Sequence, residues 1–359
     1  MRLRTTVRHR LAESFLTASL VWSRKECGNY MYVADEHRYE KMPIRRAGNT
    51  GFQLPAISFG MWHSFGEDAN YADTRDIILK AFDAGIFSFD LAANYGPGTG
   101  EAERLFGQVF HREMEAYRDE MVISTKAGFH MWPGPYGQMS SRKALIASLD
   151  QSLERMGLDY VDIYYSHRYD AETSPEETAV ALDDLVKQGK TLYVGISNYT
   201  APQAMAMVKI FKDLHTPFVM DQVSYNMLNQ KTAQDGLFDR MRENNAGIMA
   251  YGPLAEGLLT DKYLDGIPDD VNIHWSSQYI FKDGRDKIWH KLQALNQIAH
   301  SRGQKLSHMA LAWLLHDPVV TSVITGASKA EHLYENVKAV QNLTFDPEEL
   351  AAIDKILKA

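Results

Sequence analysis

A single cysteine, Cys27, stands in a chain of 359 residues. No disulfide can close within the chain, and a reducing, cytoplasmic compartment is the expectation. No apolar run reaches the roughly 18 residues that a membrane-spanning helix needs. Positive charge is also short: 38 Lys and Arg face 46 Asp and Glu, a formal net charge of −8. A chain this acidic is a poor partner for nucleic acid. Thirteen histidines are present, yet neither H-E-x-x-H nor a Cys/His ligand spacing occurs, so no metal site is expected. Internal repeats and low-complexity segments are missing too. What remains is 45% hydrophobic and 23% charged residues, a globular composition that excludes a disordered or collagen-like chain.

The charge is uneven. Residues 1–30 carry six Lys/Arg and two Glu, hence +4, which leaves −12 for the rest. Arg2, Arg4, Arg8 and Arg10 precede a weakly apolar stretch from Phe15 to Trp22, the outline of a targeting peptide. The apolar run is short and interrupted, and no small-residue cleavage site follows. Residues 1–30 are therefore expected to be a disordered or mis-assigned extension, with Met31 as the first native residue and residues 31–359 as the folded domain.

From residue 44 onward, short apolar runs alternate with amphipathic segments. Strands are expected at Ile57–Phe59, Ile86–Asp90, Met121–Lys126, Val161–Tyr165, Leu192–Ile196, Phe218–Gln222, Gly247–Tyr251 and Ser322–Thr325. Near-continuous hydrophobicity suits strands buried on both faces of a parallel sheet. Helices are expected at 71–84, 142–156, 176–188, 201–213, 286–301, 307–315, 329–340 and 347–357, with Gly85, Gly157 and Gly189 as stop signals. The alternation predicts a single (β/α)8 TIM barrel with an N-terminal β-hairpin around Gly48–Gly51 and a C-terminal helix. A doubly wound open sheet is the alternative. Residues 261–283 form a long insertion, and long loops on rigid barrels commonly serve ligands.

Barrel sites lie at the C-terminal ends of the strands. There the chain places Asp90 with Tyr95 behind it, Lys126, His167, Ser197-Asn198, Gln222 and Tyr251. Each alone has a duller reading: a strand-end Asp caps a helix, a lone Tyr packs, a lone His satisfies a core hydrogen bond. Together they describe carbonyl chemistry. A phenol with an ordinary pKa near 10 is a poor acid at neutral pH. An adjacent Lys126 ammonium would lower it, and Asp90 would hold the ammonium charged. Tyr95 could then protonate a carbonyl oxygen as hydride reaches carbon, while His167 orients that carbonyl. The loop Gly96-Pro-Gly98-Thr-Gly100 superficially matches a dinucleotide glycine loop. Its G-x-G-x-G spacing and its overlap with Tyr95 read instead as a tight turn that places the phenol.

Asp90-Leu-Ala-Ala-Asn-Tyr95-Gly, Ser-Thr-Lys126 and Tyr-Ser-His167 resemble the catalytic tetrad of the aldo-keto reductases. Gly-Ile-Ser197-Asn198-Tyr, Gln222-Val-Ser-Tyr-Asn226, Ala-Tyr251-Gly-Pro-Leu254 and Gly326-Ala-Ser328 with Glu335-Asn336 resemble that family's cofactor segments. The resemblance covers residues 43–358. Gly-Met-Trp62, Met-Trp132-Pro-Gly-Pro-Tyr136-Gly and Leu-Leu-Thr-Asp-Lys262-Tyr look like the bacterial L-glyceraldehyde 3-phosphate reductases, with potassium-channel β-subunits nearby. The resemblance implies an NADPH-dependent reductase of small aldehydes, with L-glyceraldehyde 3-phosphate and methylglyoxal as candidates, the latter a detoxifying role. It implies that Ser197, Asn198 and Gln222 hold the carboxamide, that Trp62 borders the coenzyme and that Tyr251 stacks on the nicotinamide. Gly252, Pro253, Leu254, Gly257, Leu258 and Lys262 would follow the pyrophosphate. Gly326, Ser328, His332, Glu335 and Asn336 would surround the adenosine end. It also implies a homo-oligomer, a tetramer or larger.

The sequence departs from the family at His332, where many members carry Arg, and near Asn272, where the channel-like subgroup often has another. Both weaken the grip on a 2′-phosphate, so NADP(H) is expected with NAD(H) as the alternative. Trp62, Trp132 and Tyr136 could wall a substrate site. Arg168 could attract a substrate phosphate or carboxylate, a rim salt bridge being its bland reading. The competing function is a nicotinamide-binding regulatory subunit with little turnover, as in the channel partners. Those typically carry Asn where this chain has His167.

Overall fold

The computed structural model describes residues 32–359 apart from His63, Glu67 and Asn272, so the expectations for residues 1–30 and for Asn272 lie outside the described residues. The chain divides after Val33. Of the first unit only Tyr32 and Val33 are described, and all elements below belong to the second, Ala34–Ala359.

A two-stranded hairpin comes first. Strands β1 (Ile44–Arg46) and β2 (Gln53–Pro55) pair antiparallel. Gly48 turns the chain at φ +54°, and a Cβ there would lie 2.1 Å from the Asn245 carbonyl oxygen. Phe52 meets Tyr193 with ring centroids 4.7 Å apart, and Arg45 donates to the Val320 and Asp317 carbonyls. These partners lie at the N-terminal ends of later strands, so the hairpin plugs that end of the barrel.

Eight parallel strands then close on themselves. They are β3 (Ile57–Gly60), β4 (Ser88–Asp90), β5 (Val122–Ala127), β6 (Val161–Ser166), β7 (Thr191–Ser197), β8 (Phe218–Ser224), β9 (Gly247–Tyr251) and β10 (Val320–Thr325). Neighbours follow chain order, and β10 pairs with both β9 and β3, which removes the open-sheet alternative. Every residue of β5, β6 and β10 is buried, as expected of strands covered on both faces.

The outer layer comprises α1 (Tyr71–Asp83), α2 (Glu101–Val109), α3 (Arg142–Met156), α4 (Pro175–Lys187), α5 (Ala201–Leu214), α6 (Lys231–Gln234), α7 (Leu237–Glu243), α8 (Arg285–Ser301), α9 (Leu306–Leu315), α10 (Ala330–Val337) and α11 (Pro347–Lys358). Their starts are chemically marked. Asn70, Ser141 and Ser174 accept backbone N–H bonds, and Thr200–Gln203 and Asp346–Glu349 form capping boxes. Gly157 ends α3 in the left-handed conformation. Several segments differ from expectation, among them α6 and α7, for which no helix was expected. The helix expected at 329–340 stops at Val337 and tightens into a 3-10 turn. The stretch after Gly100, to which no helix range was assigned, forms α2, then a π turn over Phe110–Met114 and a 3-10 turn. The 261–283 insertion carries 3-10 turns at Asp261–Tyr263 and Trp275–Phe281. Among the described residues no helix is long and apolar enough to cross a membrane.

Candidate active site

Closure of the barrel brings four distant side chains to one rim. Asp90 ends β4, Lys126 sits near the end of β5, His167 follows β6, and Tyr95 stands on the loop after β4. Lys126 and Asp90 are fully buried, with Nζ 2.6 Å from Oδ2. The same Nζ donates to the Leu91 carbonyl at 2.7 Å and to the Tyr95 hydroxyl at 3.2 Å. Three acceptors match the three N–H bonds of an ammonium, whereas a neutral amine has only two to offer. Burial pulls Lys126 below its ordinary pKa, and Asp90 opposes that pull. Asp90 is itself held in place: its Oδ1 accepts from Ser124 at 2.8 Å and from Gln222 Nε2 at 2.9 Å.

Tyr95 does not behave as the sequence reading expected. Burial, aided by the Asp90 charge, pushes its phenol well above the usual value. The physical reason is compensation: Lys126 is already neutralised by Asp90, so its field at the phenol is small and desolvation prevails. The ammonium still lies beside the hydroxyl and faces the ring at 4.6 Å. The phenol therefore keeps its proton until an acceptor appears.

His167 is buried between Tyr95, at 5.9 Å between ring centroids, and Phe129, at 4.7 Å. Burial, then the Lys126 and Arg168 charges, depress its pKa well below 6.5, so the imidazole is neutral at neutral pH. Its Nδ1 is buried without a hydrogen-bond partner among the described residues. Backbone bonds fix the residue: its N–H reaches the Ala127 carbonyl at 2.8 Å, and its carbonyl accepts from Asn198 Nδ2 at 3.0 Å.

The expected carboxamide holders do gather beside the tetrad. Ser197 Oγ donates to the Gln222 carbonyl at 2.8 Å, and Tyr251 Oη to Asn198 Oδ1 at 2.7 Å. Asn198 adopts φ +62°, which turns its amide toward His167 and Tyr251. In the next loop Gly252 and Gly257 have φ of +64° and +93°, and a Cβ on either would meet open space. Ala255 and Glu256 between them are also left-handed, at +47° and +56°. Several amides of this loop bond within it, Ala255 N to the Gly252 carbonyl and Gly257 N to the Leu254 carbonyl, so the loop is tightly wound, and Lys262 is exposed nearby in sequence. Pro253, Leu254 and Leu258 complete that loop.

At the far end, Gly326, Ser328 and His332 are exposed and Asn336 is buried. Glu335 is engaged by Lys338 and by Lys305 at 2.9 Å. Its lysine partners draw its pKa down to about 2. Lys305 and Lys338 escaped the sequence reading because they share no motif with Glu335, only its position in space.

The aromatic residues sort differently from expectation. Trp62 lies 6.4 Å from Tyr95 and 5.2 Å from His274 of the insertion. Glu256 fastens that insertion by accepting from His274 N at 2.8 Å and Ser277 Oγ at 2.9 Å. Trp132 is half-buried on the β5 loop. Tyr136 is not brought to the tetrad: it lies under Lys143 at 4.5 Å and lines a groove along α3. Its φ of +67° swings the side chain onto that helix. Arg168 has no carboxylate partner among the described residues, contrary to its bland reading. It donates to the Gly128 carbonyl at 2.9 Å and to Gln138 at 3.3 Å, and covers Phe129 at 4.7 Å. Phe129 and His274 were missed from sequence because nothing local marks which loop side chains turn inward, and Ser124 on β5 because its partner Asp90 is distant in the chain.

Comparison with known proteins agrees with the fold. The pattern of the Aldo/keto reductase family matches residues 56–358. The chain is 50% identical over 329 residues to an L-glyceraldehyde 3-phosphate reductase of Escherichia coli O157:H7, covering 90% of this chain and 95% of that one. It is 34% identical over 306 residues to a probable voltage-gated potassium channel subunit beta of Arabidopsis thaliana, covering 83% and 91%. The fold superimposes with a TM-score of 0.72 on the holo form of an aldo-keto reductase of Bacillus halodurans, at 24% identity over 88% of this chain and 96% of that one. The closed barrel, the strand-end tetrad and a family match across nearly all of the described chain have one common explanation: this protein belongs to the aldo/keto reductase family of oxidoreductases.

Proposed function

We propose that the protein reduces small aldehydes with NADPH, L-glyceraldehyde 3-phosphate and methylglyoxal being the leading candidates. The observation that carries the reading is the complete hydrogen-bonded chain Asp90–Lys126–Tyr95, with His167 beside it. When bound, the coenzyme supplies the hydride. The protein's own residues do the rest. Tyr95 holds a proton at its phenolic oxygen and releases it to the carbonyl oxygen as negative charge develops there. Lys126 stabilises the resulting phenolate at 3.2 Å, and Asp90 keeps the ammonium charged. Neutral His167 can donate a hydrogen bond to the same oxygen and orient the aldehyde.

The residues present fit a dinucleotide. Ser197, Asn198 and Gln222 offer amide and hydroxyl groups for a carboxamide, with Tyr251 alongside. The loop from Gly252 to Leu258, left-handed at Gly252 and again from Ala255 to Gly257, would follow the pyrophosphate together with Lys262. Gly326, Ser328, His332, Glu335 and Asn336 would border the adenosine. Lys305 and Lys338 lie about Glu335 and offer cationic groups for a 2′-phosphate in place of the missing arginines, which favours NADP(H) over NAD(H). Assembly into a tetramer or larger and a cytoplasmic location belong to the same reading and rest on the resemblance.

The test is NADPH consumption with methylglyoxal and both glyceraldehyde 3-phosphate enantiomers, for wild type and Tyr95→Phe. Loss of the proton donor should lower kcat at least about 100-fold while NADPH still binds. Tight NADPH binding without turnover of any aldehyde would move the assignment to a regulatory, coenzyme-sensing subunit. Tighter binding of NADH than of NADPH would overturn the coenzyme choice alone.

A further inference from the structure

One fully buried carboxylate lies outside the tetrad yet touches both of its supports. Glu103, on α2, is 0% exposed. It accepts from Thr125 Oγ1 at 2.6 Å and from Arg155 Nε, on α3, at 2.6 Å. Thr125 immediately precedes Lys126 on β5. On the other side, the α2 residue next to Glu103 grips the phenol's own backbone: Ala102 N–H donates to the Tyr95 carbonyl at 3.3 Å. Arg155 closes the arrangement from behind. A Cβ on Gly100, which caps α2 at φ +80°, would lie 2.5 Å from the Arg155 side chain, so the Tyr95 loop rests directly on that guanidinium.

We propose that Glu103 is a positioning residue for the Tyr95–Lys126 pair, tying the helix start that anchors the phenol to the strand that carries the ammonium. A buried charge with two partners is an expensive way to fill space, and apolar side chains of similar volume commonly serve stability as well or better. What an apolar pair could not supply is a directional link between α2 and β5. The distance at stake is the 3.2 Å between Lys126 Nζ and Tyr95 Oη. A misplacement of about 1 Å at such a pair can cost about 100-fold in rate. Glu103 also adds negative potential at Lys126, in the direction that keeps it protonated.

The inference rests on the reductase reading for its kinetic consequence, and its test separates the two. Thr125→Val removes the one hydroxyl that Glu103 holds on β5 and leaves the Glu103–Arg155 pair intact. Thr125→Ser keeps the hydroxyl. Two measurements are made on each full-length variant. The first is aldehyde reduction with NADPH. The second is the ¹³Cζ resonance of Tyr95, assigned by its disappearance in Tyr95→Phe, which reports the hydrogen bonding of the phenol whether or not the protein turns over. The expected result is a displaced Tyr95 signal and a kcat lowered about ten- to 100-fold in Thr125→Val, with NADPH affinity unchanged and both readouts restored in Thr125→Ser. An unmoved signal with wild-type kcat in Thr125→Val overturns the proposal, as does an equal loss in both variants, which would assign the effect to packing. If wild type reduces no aldehyde, the functional reading fails, and the Tyr95 resonance alone decides the positioning role.

Discussion

The single side chains with the most unusual surroundings are Lys126, Arg168 and Asp221, and each is resolved differently. Lys126 is buried but has an acceptor for every N–H. Among the described residues Arg168 donates to a carbonyl and an amide and to no carboxylate, so beside His167 its charge is offset only at a distance, by Asp170. Arg168→Ala is expected to raise KM for a phosphorylated aldehyde about tenfold or more, the worth of a charged hydrogen bond, and to change KM for methylglyoxal much less. Equal changes for both substrates would show that the residue only props the 128–138 loop. Asp221 is fully buried on β8, and neither carboxylate oxygen finds a partner among the described residues. Its neighbour Gln222 points into the barrel to Asp90, so alternation turns Asp221 toward the helical layer. Burial raises its pKa well above 3.8. The folded state thus keeps a proton that the unfolded state releases above about pH 4, and stability must fall as pH rises toward the folded pKa. Asp221→Asn removes that titration. Its stability relative to wild type should improve by about 1.4 kcal/mol per pH unit across that interval, measured as urea midpoints from pH 4 to pH 8. A difference that does not change with pH would show the carboxyl ionised and solvated in the folded protein.

Elements position the site by anchoring their ends. The capped starts of α1, α3, α4, α5 and α11 were legible in sequence because Asn, Ser, Thr or Asp, and in three cases a proline, mark them locally. The end of α10 was not legible: residues 329–340 keep a helical apolar pattern, yet packing tightens the last turn into a 3-10 form. The β1–β2 hairpin shows the same interplay. Its strands follow from alternating residues and glycines, but its seat depends on Gly48 lying against Asn245. Gly48→Ala would force a left-handed alanine and a clash with a backbone carbonyl, and should cost about 2–4 kcal/mol in a denaturation experiment. Gly51→Ala is the control, since a Cβ there meets nothing and φ is ordinary. Similar losses from both changes would mean that the turn, rather than its contact with the barrel, is what matters.

At the scale of the whole molecule, the barrel creates the electrostatics of the tetrad by excluding water from four strand ends at once. That burial keeps His167 neutral and Tyr95 protonated over a wide range. The profile of kcat/KM for aldehyde reduction should therefore show no acidic limb near pH 6.5, and its alkaline limb should lie above pH 10. An acidic limb at an ordinary histidine value would mean that the rim is wetter than this burial implies. The sequence alone determined a good deal. Strand-like and helix-like runs alternating along the chain determined the eight strand–helix units, because period and turn chemistry are local properties, while the pairing of β10 with β3 that closes the barrel was decided in three dimensions. Motifs at strand ends named Asp90, Tyr95, Lys126 and His167, because barrel topology sends every such end to one face. Only the tertiary structure decided the sign of the Tyr95 shift, since desolvation and the Lys126–Asp90 compensation depend on three-dimensional distances. It alone turned Tyr136 away to α3, left Arg168 without a carboxylate and gathered Lys305 and Lys338 about Glu335. Contacts between side chains far apart in the chain leave no local signature, so the fold had to bring them together before their chemistry could be read.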